Sequence, residues 1–97
     1  MIKITDHSWV IESDMTITTT QQLSKSYSKF LTELSDTWII DLSNCARIDT
    51  SGIALLLEYI KYANSNNIYL ELRGLGTRTL LLAKVHGTKD ILSKHIK

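Results

Sequence analysis

Apolar and polar residues along this chain switch between a period of two and a helical period, and the switches mark out eight short elements. Ile2, Lys3 and Ile4 alternate, and after Asp6 and His7 comes Trp9-Val10-Ile11, which predicts a hairpin of two short strands. Ser13-Asp14-Met15-Thr16-Ile17-Thr18 is rich in cap and turn residues and either prolongs the second strand or forms a loop. Thr19 and Gln22 have capping-box spacing. Leu23, Tyr27, Phe30, Leu31 and Leu34 then recur on one helical face, predicting an amphipathic helix from about Thr20 to Leu34.

Trp38-Ile39-Ile40-Asp41-Leu42 is bulky and β-branched, as suits a buried central strand. After Ile48-Asp49-Thr50-Ser51-Gly52-Ile53 the period changes: Ile53, Leu56, Leu57, Ile60 and Ala63 form the core face of a helix from about Ser51 to Asn64. Ile68, Leu70 and Leu72 alternate in a further strand, Gly74-Leu75-Gly76 makes a tight turn, and a third helix runs from Arg78 to Val85. Gly87 is placed to stop it, and Thr88 to cap a last short helix through Ile96. Strands alternating with helices imply parallel neighbours joined by right-handed crossovers. The expected fold is therefore α/β, with a small mixed sheet.

The join at residues 48–53 is where chemistry is expected. Thr50 and Ser51 are N-cap candidates for the second helix, each able to accept a hydrogen bond from a free backbone N–H. The same positive helix end also favours a negative group such as a phosphate. On an ideal helix Leu55, Glu58, Tyr59 and Tyr62 fall broadly opposite the expected core face. A leucine and two tyrosines grouped there beside a helix start predict a protein-docking face.

Composition narrows the classes. The chain has 97 residues and no composition break that marks a linker, so one domain over 1–97 is expected. Its longest apolar run is far short of a membrane span, and its first residues lack the pattern of a secretory signal, so a cytoplasmic location without membrane insertion is expected. A net charge of +1 argues against a nucleic-acid footprint, although Lys84, Lys89, Lys94 and Lys97 make the C-terminal stretch basic. Cys45 is the only cysteine, which leaves no disulfide and no zinc spacing, and it is expected as a small buried filler. Ser51 with His7, His86 or His95 and Asp49 can be drawn as a triad, but the spacing gives it no support, and neither a cofactor nor a metal is expected. Gly74-Leu75-Gly76 lacks the third glycine of a dinucleotide turn.

Trp38-Ile39-Ile40-Asp41-Leu42-Ser43, followed by Ile48-Asp49-Thr50-Ser51-Gly52-Ile53-Ala54-Leu55-Leu56, resembles the core of a STAS domain, the sulfate transporter and anti-sigma factor antagonist family. The resemblance implies a small mixed sheet with helices mainly on one side and no catalytic activity. It also implies two alternative partners. In anti-sigma factor antagonists the residue before the motif glycine is phosphorylated by a partner serine kinase, and here that residue is Ser51. In the MlaB-like branch, STAS subunits of Mla-type phospholipid-transport ABC complexes that maintain outer-membrane lipid asymmetry, the threonine after the aspartate helps engage the ATPase subunit; here it is Thr50. The Gly52-to-Leu57 run and Thr79 to Val85 resemble the latter branch, as does the short stretch after the third helix. That resemblance implies a subunit that binds and regulates or stabilises the ATPase, held at the inner membrane through the complex. Ser13-Asp14-Met15-Thr16 departs from the Gly-Glu-(Leu/Ile)-Asp common in the family before the first helix.

Overall fold

The computed structural model describes residues 1–96. Four strands, β1 (Ile2–Thr5), β2 (Ser8–Ile11), β3 (Thr37–Asp41) and β4 (Tyr69–Arg73), form one sheet in the order β1-β2-β3-β4. β1 pairs antiparallel with β2 across the Asp6-His7 turn, while β2, β3 and β4 run parallel. Because the side chains of a strand alternate, Trp9, Ile11, Trp38, Ile40, Leu70 and Leu72 all point to one face, and all are buried there. The helices α1 (Thr20–Tyr27), α2 (Thr50–Ser65), α3 (Thr77–Val85) and α4 (Lys89–Ser93) cover that face, as the right-handed crossovers require. On the other face Glu71 is buried and paired with Arg73.

The centre of the core is aromatic. Trp9 and Trp38 meet edge to face with ring centroids 4.9 Å apart, and Tyr59 of α2 closes the group at 5.8 Å from Trp9 and 5.1 Å from Trp38. This overturns the expected docking face. Leu55 is 8% exposed and Tyr59 5% exposed, so both are core residues and not anchors for a partner. Tyr62 is half-buried, and its hydroxyl donates to the Leu31 carbonyl at 3.2 Å. Of the four residues assigned to that face only Glu58 is exposed. The reason is rotational. Apolar residues occupy so much of α2 that more than one helical phase satisfies the pattern, and the Trp9–Trp38 slot turns the helix roughly half a residue step towards Leu55 and Tyr59. Leu57, expected in the core, moves to its margin and is half-exposed.

Other local expectations also change. The first helix stops being α-helical at Tyr27 and continues as a 3-10 helix over Ser28–Glu33. There the Ser28 and Thr32 hydroxyls donate to the carbonyls three residues back, a local bond that competes with regular helix. Thr19 does not form a capping box: its hydroxyl donates to the Asp14 carbonyl and accepts from the Thr16 N–H. Thr88 does not cap α4 through its side chain, and that helix ends at Ser93. Ile96 instead pairs with Leu72 as an isolated bridge on the outer edge of β4. Gly87, at φ 73°, ends α3 as expected. Of the basic C-terminal stretch, Lys97 lies outside the described residues.

Candidate functional site

The loop from β3 to α2 is held by backbone pairing before any side chain acts. Met15 continues the direction of β2 and bridges in parallel to Ile48, with the Met15 N–H donating to the Arg47 carbonyl and the Asp49 N–H to the Met15 carbonyl. Ser13-Asp14-Met15 is therefore a loop after the end of β2 at Ile11, with one isolated bridge at Met15. Against this ledge sits Gly52. A Cβ there would stand 2.3 Å from the Met15 carbonyl oxygen and 2.7 Å from the Ile48 side chain, so the glycine is required by close approach.

Neither Thr50 nor Ser51 caps α2. The N-cap is Asp49, whose carboxylate accepts from the Ser51 N–H at 2.8 Å and the Gly52 N–H at 3.2 Å. Its second oxygen accepts from the Ile17 N–H at 3.0 Å, tying the loop before α1 to the start of α2. Desolvation raises the Asp49 pKa, but the Ile17, Gly52 and Ser51 N–H groups, helped by Arg47, outweigh it and hold the carboxyl below its ordinary 3.8. With its carboxylate committed to backbone amides, Asp49 orients no histidine, and the His95 ring is bound to the Leu70 carbonyl. The triad that can be drawn from the sequence is not assembled.

Asp49 frees the side chains that follow it. Thr50 is exposed and Ser51 half-exposed at the first turn, and Ala54, Glu58 and Lys61 continue the exposed stripe of α2. Ile17, 76% exposed, stands beside them on the tethered loop. A small groove of about 150 Å³ runs along the other side of the stripe, where Thr50, Ala54 and Leu57 meet His86 and Thr88. Neither Ile17 nor Ala54 stands out in the sequence as a contact residue. Their apolar character was visible, but exposure depends on the rotation of α2 and on the Asp49–Ile17 bond.

A second and larger feature lies behind this stripe. A crevice of about 610 Å³ opens beyond the carboxyl ends of β3 and β4, lined by Arg47, Arg78, Thr79 and Leu82 among others. Cys45 lines it too and is half-exposed, correcting the expectation of a buried filler; partial burial pushes its thiol pKa up. On α3, Leu81 is 60% and Val85 80% exposed at the rim. Here the sequence held a usable signal. A nine-residue helix carrying Leu80, Leu81, Leu82, Ala83 and Val85 has apolar residues all round and cannot bury them all against one sheet. Among the described residues no group of His, Cys, Asp and Glu is arranged to hold a metal ion, and no helix is long and apolar enough to cross a membrane.

The family model described as "Mlab, STAS domain" matches residues 4–93. The intermembrane phospholipid transport system binding protein MlaB of Escherichia coli (strain K12) is 38% identical over 56 residues, and the protein of the same name from Shigella flexneri matches to the same degree. Each alignment takes in 57% of this chain and 58% of the relative, so less than two thirds of those proteins is matched. A sulfate transporter family protein from Wolinella succinogenes superposes with a TM-score of 0.73 over 93% of this chain and 74% of its own, at 16% identity, which shows a shared fold. With the family model covering nearly the whole chain, and the Asp49-capped, Gly52-packed helix start at its centre, this chain belongs to the MlaB-type STAS domain family.

Proposed function

We propose that this chain is a non-catalytic STAS subunit of an Mla-type phospholipid-transport ABC complex and that it docks on the ATPase subunit through the start of α2. The observation that carries the proposal is the exposed Thr50, released from capping by Asp49 and flanked by exposed Ile17 and Ala54. Small and apolar side chains around one hydroxyl, on a rigid capped helix, suit a close protein contact. Ser51 lies at the edge of this contact and Glu58 two turns along it, while Leu55 and Tyr59 have no part in it. The names borne by the relatives, phospholipid transport system binding proteins, support the transport setting. Through that docking the chain regulates or stabilises the ATPase and stays at the cytoplasmic side of the inner membrane.

Co-purification from native cells tests this. Tagged protein is expected to retain an ABC ATPase, and Thr50→Glu and Ala54→Arg each to weaken that retention at least tenfold, about 1.4 kcal/mol, with an unchanged melting temperature. A glutamate is electrostatically tolerated in the first turn of a helix, so folding should survive it. Recovery of a serine kinase in place of the ATPase, with phosphate on the half-exposed Ser51, would replace this reading by the anti-sigma antagonist one.

A further inference from the structure

The turn from Thr16 to Thr19, just before α1, is tied down by its own hydroxyls and backbone. The Thr19 and Thr20 N–H groups both donate to the Thr16 carbonyl, at 3.0 and 2.9 Å. The Thr19 hydroxyl donates to the Asp14 carbonyl at 2.6 Å and accepts from the Thr16 N–H at 2.9 Å. The Thr16 and Thr18 hydroxyls bond to each other at 3.0 Å. From outside the turn, Asp49 Oδ2 accepts from the Ile17 N–H at 3.0 Å. All of these bonds use hydroxyl, carboxylate or backbone groups, and the Ile17 side chain is left 76% exposed at the tip. Turn tips ordinarily carry glycine, proline or short polar residues, whereas here a large apolar side chain is held with most of its surface in water.

We propose that Ile17 is the apolar anchor of the docking contact and that Asp49 is its positioning residue, tying the anchor to the helix that carries Thr50. The inference rests on the docking reading above and assigns a residue pair within it. Asp49 divides its two oxygens between two tasks: Oδ1 accepts from the Ser51 and Gly52 N–H groups and fixes the start of α2, while Oδ2 fixes the turn. Thr50 and Ile17 are thereby presented from one hydrogen-bonded unit. Isoleucine adds stiffness of its own, since its β-branch restricts χ1. Little ordering is left for the moment of binding, which is how a pre-formed anchor gains affinity. The occupant is the ATPase subunit. Residues 16–20 and the exposed α2 positions Thr50 and Ala54 are uncharged, so the surface that receives Ile17 is an apolar pocket with an uncharged rim.

Asp49→Asn separates the two tasks at a single atom. Asparagine is as good an N-cap as aspartate, and its carbonyl oxygen keeps the Ser51 and Gly52 N–H groups. Its amide nitrogen then replaces Oδ2 and faces the Ile17 N–H donor to donor. In this variant the 15N heteronuclear NOE should fall at Ile17 and Thr18 and hold from Gly52 to Ala54, with a melting temperature above that of Asp49→Ala. Affinity is measured by calorimetry against the purified ABC ATPase that the parent chain retains. Ile17→Ala and Ile17→Thr should each weaken binding about tenfold at an unchanged melting temperature, while Ile17→Val stays close to the parent. Asp49→Asn should weaken binding about fivefold, and in the Ile17→Ala background it should weaken it no further, because it acts through the anchor. Full affinity in Ile17→Ala beside a loss in Thr50→Glu would overturn the anchor and leave the docking reading standing. An undiminished NOE at Ile17 in Asp49→Asn, or effects of Asp49→Asn and Ile17→Ala that add, would overturn the positioning role. A parent chain that retains no ABC ATPase would overturn the docking reading and the anchor with it.

Discussion

Replacing Tyr59 with alanine separates a core residue from a docking residue more sharply than any other change in α2. The ring is 5% exposed and lies 5.1 Å and 5.8 Å from the two tryptophans, both at edge-to-face angles. Removing a large buried aromatic side chain from a core costs about 3–5 kcal/mol, to which the two aromatic pairs contribute about 0.5–1.5 kcal/mol each. A domain of this size has a stability of roughly 5–15 kcal/mol, so Tyr59→Ala should lose a large part of it and lower the melting temperature by at least about 12 °C. Urea unfolding followed by tryptophan fluorescence measures this directly, because Trp9 and Trp38 report on the same cluster. Glu58→Ala, one residue away and exposed, should stay within about 0.5 kcal/mol of the parent. A second signature comes from pH. Burial pushes the Tyr59 hydroxyl up to about 12 from 10.0. A raised folded pKa stabilises fully below the unfolded value and is lost as pH rises through the folded value, so Tyr59 should add a loss of stability between about pH 10 and 12 that Tyr59→Phe lacks. A cost below about 1 kcal/mol for Tyr59→Ala, together with impaired partner binding, would refute the packing described here and restore Tyr59 to the surface.

Two further outcomes follow from the helix start. Gly52→Ala places a methyl group 2.3 Å from the Met15 carbonyl, a backbone atom that cannot turn aside, and should destabilise by at least about 1–3 kcal/mol in denaturant titration. Asp49→Ala removes the acceptor of three N–H groups and should cost about 1–2 kcal/mol at neutral pH. Because the folded Asp49 pKa is depressed, its contribution is complete above the unfolded value near 4 and fades as pH falls through the lower folded value. Parent and variant should therefore converge in stability as acid is added, and a constant difference down to pH 2 would rule out the carboxylate as its source.

The sequence made the element order and the parallel sheet legible because each strand and helix carries its own period. Trp38-Ile39-Ile40 could hardly be anything but a central strand, and the turn at Gly74 has the residue its positive φ demands. What local pattern could not settle was the rotation of α2. Its phase is decided by the slot between Trp9 and Trp38, which lie on strands far apart in the sequence and meet only once the sheet is assembled. Thr50 and Ser51 were reasonable cap candidates by residue type, yet Asp49 is a stronger acceptor and sits one position earlier, where the backbone is still extended. The crevice was unreadable for a similar reason: Arg47 lies on the loop before α2 and Arg78 in the first turn of α3, and the two segments line one space only once the sheet and helices are assembled, with Gly74 packed against Ser43.

His95 does the work of a strand residue without belonging to one. Its carbonyl accepts from the Leu72 N–H at 2.7 Å, and its ring Nδ1, which must carry the proton to face a carbonyl, donates to Leu70 at 3.0 Å. One residue thereby occupies two of the outward-facing backbone groups that would otherwise make β4 a template for another chain. Part of the free edge of β4 is thus closed by the backbone and ring of one residue after α4. Loss of that ring would open the Leu70 carbonyl to a neighbouring strand, while the Leu72 N–H stayed bonded to the His95 backbone.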